Sequence, residues 1–168
     1  MSKHKKILAI DPGIKHMGIA FFEGDKLIYH VVKVIANDKS PNARLKEGRK
    51  IVLRLINDFK PDILVVERSF FFNNKTASLL HVFINEIRAI GKRKGLMVLS
   101  YAPSTVRKFI CGDGRAGKKT QSEVIVSMYP EFKVYLTQDK AWKERYHQNM
   151  FDAVALALIV LSKGVNGL

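Results

Sequence analysis

Apolar residues in the first 35 positions fall in three blocks, residues 5–11, 17–22 and 26–35, each rich in Ile, Val, Phe or Tyr. Such blocks predict strands. Pro12-Gly13 separates the first two and Gly24-Asp25 turns a hairpin between the second and third, which together form an antiparallel meander. Residues 37–42 are polar and contain Pro41. From Ala43 the period becomes helical: Leu45, Val52, Leu55, Ile56 and Phe59 share one face and basic residues fill the rest, until Pro61 stops it. Residues 63–66 are wholly apolar, the pattern of a central strand covered on both faces, and the run ends in Glu67.

A loop over 69–74 carries Phe70, Phe71 and Phe72 and leads into a helix predicted over 75–93, with Leu79, Phe83, Ile87 and Ile90 along one stripe. A fifth strand is expected at 97–101. A short helix follows from Pro103 to Ile110, with proline suited to its first turn. Residues 112–117 form a glycine-rich loop, and a further helix starts at Lys118 or Thr120 and ends at Pro130. Residues 131–145 mix charge and scattered aromatics with no legible period. The last helix is predicted over 148–163, ended by Gly164, with Phe151, Val154, Ala155 and Leu158 as its core stripe. Asn149, Asp152 and Leu156 form a neighbouring stripe. No repeat or linker divides the chain, so residues 1–168 are expected to form one α/β domain: a five-stranded mixed sheet flanked by helices.

Charge narrows the choice of partner. Twenty-nine Lys and Arg against fifteen Asp and Glu leave a formal charge of +14, which favours a polyanion, with nucleic acid first. No basic amphipathic helix with an aromatic face points to a membrane surface, and the apolar run at 153–161 is too short to span one. Cys111 is alone, so neither an intrachain disulfide nor a cysteine-based zinc site can form. With no signal-peptide pattern at the start, a cytoplasmic location is expected.

Three acidic side chains stand in unusual contexts. Asp11 and Glu67 end apolar strands, and Asp152 interrupts an apolar helix. Each alone reads as a cap, a turn or a salt-bridge partner. Together, in a chain this basic, they point to a hard divalent cation, which takes oxygen ligands and leaves positions for water and phosphate. Two such ions can stabilise both the attacking and the leaving oxygen of a phosphoryl displacement.

Ile10-Asp11-Pro12-Gly13, the stretch from Pro61 to Glu67 with Phe70 three residues on, and Asp152-Ala153-Val154-Ala155-Leu156-Ala157 resemble, in order and over nearly the whole chain, the RuvC family of Holliday-junction resolvases. The resemblance implies a ribonuclease H-like fold, a homodimer, and Mg²⁺-dependent symmetric nicking of four-way DNA junctions. Two Mg²⁺ ions per site are implied, with Mn²⁺ as a substitute. Asp11, Glu67 and Asp152 match the family's metal-binding carboxylates. Where the family usually carries Asp or His three residues before the last of these, this chain has Asn149. An amide oxygen can ligate a hard cation but brings no charge and no basicity. His147 is the alternative occupant, provided that the helix begins after it. A motor that migrates the junction is left open as a further partner.

The same comparison places Phe70 as an aromatic wedge against unpaired bases, with Phe71 beside it, and puts functional cations at Arg107 and Lys118. Between Arg88 and Lys119 there are nine basic residues and one acidic, Asp113. Arg107, Lys108, Lys118 and Lys119 flank the glycine-rich loop, where the backbone can approach a phosphate closely. Lys118 is the candidate for neutralising charge on the scissile phosphate. Two other readings stay open: a ribonuclease H-like nuclease acting on duplexes or hybrids, and a junction-binding protein whose catalysis is weakened by Asn149.

Overall fold

The computed structural model describes residues 4–35, 40–68, 75–137 and 141–164, with the side chains of 75–77 and 141–145 set aside. Phe70, Phe71 and Phe72 lie outside the described residues. Strands β1 (Lys6–Asp11), β2 (His16–Glu23) and β3 (Lys26–Val34) form the expected meander, and β4 (Ile63–Glu67) and β5 (Met97–Tyr101) extend it past β1, giving the order β3-β2-β1-β4-β5. β1 is antiparallel to β2 and parallel to β4, and β4 is parallel to β5. The parallel pairs need long crossovers, which α1 (Pro41–Phe59) and α2 (Lys75–Arg93) supply.

Alternation along the strands divides the core into two layers. Leu8, Ile10, Ile19, Phe21, Leu64 and Val66 pack with residues of α1 and α2 on one face. Ile7, Ala9, Ala20, Phe22, Ile63 and Val65 pack on the other, chiefly against α6 (Ala141–Lys163). Because both faces are covered, β1 and β4 read as continuous apolar runs. α1 begins at Pro41 rather than Ala43, because Ser40 caps it, its hydroxyl accepting the Ala43 N–H at 3.3 Å. Arg49 on α1 donates to Glu86 on α2, one of its two bonds being 2.7 Å long.

Beyond β5 the chain forms α3 (Pro103–Cys111), α4 (Lys118–Met128), a 3-10 turn (Pro130–Phe132) and α5 (Lys133–Leu136). The segment with no legible period thus contains a turn, a one-turn helix and the start of α6, which begins at Ala141 instead of 148. Phe132 is fully buried and meets Phe151 edge-on at 5.8 Å and His30 at 4.5 Å, which fixes the turn to both α6 and β3.

α6 is the central helix. Every residue from Met150 to Val160 is buried, including the stripe that carries Asp152. Its backbone sits directly on β2: a Cβ added at Gly18 would overlap the carbonyl of Asn149. Gly18 pairs with Asp11 across the β1–β2 ladder, so this close approach sets how near α6 comes to the end of β1. Gly18→Ala is expected to push α6 off the sheet and lower stability by about 1–3 kcal/mol, measured by urea denaturation. An unchanged midpoint would contradict the contact.

Candidate active site

Register brings the first two carboxylates together. Ile10 pairs with Val66 in the parallel β1–β4 ladder, so Asp11 and Glu67 follow at neighbouring strand ends. Their parity is that of Ile7, Ala9, Ile63 and Val65, which places both on the face that α6 covers. Asp152 comes to them from α6. Glu67 and Asp152 line one small cleft of about 220 Å³, shared with Arg107, Lys118 and Gln121.

Burial and neighbouring negative charge both show in the proton affinities of Asp11 and Glu67. Burial, then the charges of Glu67 and Asp152, raise the Asp11 pKa well above the usual carboxylate range, with Lys118 opposing. Glu67 is raised to about 7, first by burial and then by Asp152, with Lys118 and Arg107 opposing. For Lys118, burial works against the charge, but Asp152, Asp11 and Glu67 outweigh it and the pKa rises. The site is a pocket of excess negative charge in need of cations.

The Asp152 carboxylate is held from three directions. Oδ1 accepts from Gln121 Nε2 at 2.7 Å and from Gln148 Nε2 at 3.1 Å, and Oδ2 faces Lys118 Nζ at 3.4 Å. Ser122 Oγ donates to the Gln148 side-chain oxygen, Oε1, at 3.3 Å. The sequence reading passed over Gln121, Gln148 and Ser122. Gln148 stands four residues before Asp152, a spacing at which helical Gln and Asp side chains meet, so the predicted helix over 148–163 already held the signal. Gln121, on another helix, left no such signal.

Asn149 lies beside the site and is anchored there: Nδ2 donates to the His16 carbonyl at 2.9 Å. His147 is not brought to the carboxylates. The helix already includes it, and its ring packs on Tyr135 at 4.6 Å and edge-on to Tyr146 at 5.0 Å. Arg107 borders Glu67 in the small cleft and donates to the carbonyls of Pro103 and Ala116, both at 3.4 Å. Lys119 is exposed on the first turn of α4. Lys108 is exposed on the last turn of α3 and does not line the cleft.

Among the described residues no three His, Cys, Asp or Glu side chains are placed to hold a metal ion by themselves. The donors nevertheless fit Mg²⁺. It is satisfied by one or two carboxylates and keeps water and substrate oxygens, so an open cluster of hard oxygen donors suits it better than a cage. Carboxylates that burial and repulsion drive toward protonation are also those that a cation relieves.

A sequence profile of the family described as Crossover junction endodeoxyribonuclease RuvC matches residues 7–159. A protein of that description from Prochlorococcus marinus subsp. pastoris is 33% identical over 125 residues, 72% of this chain and 80% of its own length. One from Alkaliphilus metalliredigens is 29% identical over 161 residues, 90% of each. Among solved structures, Thermus thermophilus RuvC in complex with Holliday junction substrate superposes with a TM-score of 0.70 at 20% identity, covering 92% of this chain and 91% of that one. The yeast mitochondrial Holliday junction resolvase gives 0.64 at 16%, over 92% and 76%. This likeness is the ribonuclease H-like fold expected from the sequence.

Two outcomes follow from the electrostatics. The folded protein binds a proton at Glu67 more tightly than the unfolded chain does, so this group's contribution makes stability fall as pH rises from the ordinary glutamate range to about 7. In chelator, thermal melting should show that fall; Glu67→Gln should flatten it and add about 1–3 kcal/mol at pH 7.5. A chelated wild type with a flat profile would contradict the raised proton affinity of Glu67. Gln121→Leu should weaken divalent-cation binding about 10- to 100-fold by calorimetry, because Asp152 loses its shortest support.

Proposed function

We propose that this chain, which belongs to the RuvC family of crossover junction endodeoxyribonucleases, resolves four-way DNA junctions by nicking two strands of like polarity. The single observation behind the reading is the meeting of Asp11, Glu67 and Asp152, from three remote segments, beside Lys118 and Arg107 in a chain of net charge +14. The chain works as one nuclease domain over residues 1–168, in the cytoplasm. No helix among the described residues is long and apolar enough to cross a membrane.

Asp11, Glu67 and Asp152 hold two Mg²⁺ ions, or Mn²⁺ in their place, with Asn149 offering its amide oxygen as a fourth ligand. Bound there, the ions supply an activated water and neutralise phosphate oxygens. The rest of the work belongs to the chain. Gln121 and Gln148 keep one oxygen of Asp152 occupied and so orient the other outward. Lys118, paired with Asp152 before substrate arrives, turns to the scissile phosphate and takes up charge as it develops. Arg107, with its Nε and Nη1 directed to backbone carbonyls, presents a fixed cation to a neighbouring phosphate. Lys108 and Lys119 contact phosphates further along the strands. Phe70, with Phe71 beside it, stacks against bases unpaired at the crossover. Two copies of the chain form a homodimer, so that paired sites cut symmetrically; a junction-migrating motor delivers the substrate.

The test is cleavage of a synthetic four-way junction, a linear duplex and an RNA–DNA hybrid in Mg²⁺. Wild type should cut the junction preferentially, and Asp11→Asn should slow it about a hundredfold or more. Preference for the hybrid or the duplex would favour a different ribonuclease H-like nuclease. Asn149→Asp should cut at lower Mg²⁺ than wild type, and His147→Ala should stay within about twofold of it, the range of a surface change. Tight, salt-sensitive junction binding with no nicking at any Mg²⁺ or Mn²⁺ concentration would make the protein a junction binder instead.

A further inference from the structure

A larger cleft, about 710 Å³, opens beside the carboxylates between α4, α5 and α6. It is continuous with the catalytic groups, since Lys118 lines both clefts and Gln148 and Asn149 stand on its wall. The chemistry divides by position. Val126, Leu136 and Phe151 give it an apolar side, while Ser122 and Thr137 add hydroxyls. Lys118, Lys119 and Lys133 supply three cations against one anion, Glu123.

None of this is needed to hold a metal ion or a bare phosphate, which gain nothing from an apolar wall. It suits a flat heteroaromatic with polar edges attached to a polyanion. The cleaved strand carries such groups within one nucleotide of Lys118, and at a junction the cost of unstacking a base is lowest where pairing is already broken. Leu136 and Thr137 belong to the link between α4 and α6 and build one wall of the cleft.

We propose that the cleft between α4, α5 and α6 receives one unstacked nucleobase of the cleaved strand, next to the scissile phosphate. The inference rests on the reading that Lys118 meets that phosphate. Removing the apolar face of one base from water against the aliphatic side chains of Val126 and Leu136 changes binding by roughly tenfold. The cleft therefore makes the reaction depend on an intact base at one defined position.

The experiment uses full-length protein and junctions with a fixed core. Each of the two nucleotides on either side of the cut carries, in turn, an abasic site or 2-aminopurine. Wild type should cut about tenfold more slowly when one particular position is abasic. At that same position 2-aminopurine fluorescence should change when Asp11→Asn binds the junction. Leu136→Trp fills the cleft and Thr137→Trp blocks it from an exposed site, so folding survives in at least the second. In both, circular dichroism should be unchanged, the abasic penalty should shrink below about twofold, and the fluorescence change should vanish when each is combined with Asp11→Asn. Equal wild-type rates on all four abasic junctions would overturn the proposal, as would a penalty that persists in folded Thr137→Trp. A wild type that cuts no junction would instead overturn the functional reading on which it rests.

Discussion

Asn149 joins the two halves of the site. Its backbone carbonyl lies against Gly18 so closely that no side chain fits there, and its amide donates to the His16 carbonyl, just beyond the turn that follows Asp11. One residue thus ties α6 to β2 through both its main chain and its side chain. Asp152 is the next residue but two on the same helix, and Gly18 is the ladder partner of Asp11. The distance between the two carboxylates is therefore set by a backbone contact, which neither residue can adjust alone.

That seat has to withstand the repulsion it creates. Asp11 and Asp152 are both buried, and burial together with neighbouring carboxylate charge raises the proton affinity of Asp11 and Glu67. The fold answers with hydrogen bonds and one mobile cation. Gln121 and Gln148 share Oδ1 of Asp152, while Lys118 holds Oδ2 from an exposed position at the start of α4. Fixed amides orient the carboxylate permanently. In the proposed mechanism the lysine, on a flexible stem, would leave for a phosphate once a metal ion takes its place, so that one side chain would serve the folded protein and the reaction in turn.

Much of this was legible in the sequence for an identifiable reason. Strands buried on both faces are apolar at every position, so an acid at the tip of one stands out, as Asp11 and Glu67 do. Asp152 stood out in the same way on its helix. The turn at Pro130–Phe132 and the one-turn α5 were illegible because neither is long enough to show a period, and Phe132 makes its contacts with β3 and α6, far away in sequence. The early start of α6 was lost with them. That loss mattered for chemistry: inside a continuous helix His147 turns toward Tyr135. The wedge phenylalanines lie outside the described residues and stay on the sequence argument alone.

The departure from the family pattern at Asn149 follows from the same balance. An aspartate there would add a carboxylate near Asp11 and Glu67, which already resist ionisation, and it could not donate to the His16 carbonyl. The amide satisfies that carbonyl and keeps an oxygen for a hard cation. As the proposed fourth ligand it would give up one negative charge toward the metal, and in return it adds none to the carboxylates of the metal-free protein. Cation affinity and the stability of the empty site pull in opposite directions at this position, because both depend on how much negative charge α6 carries to the end of β1.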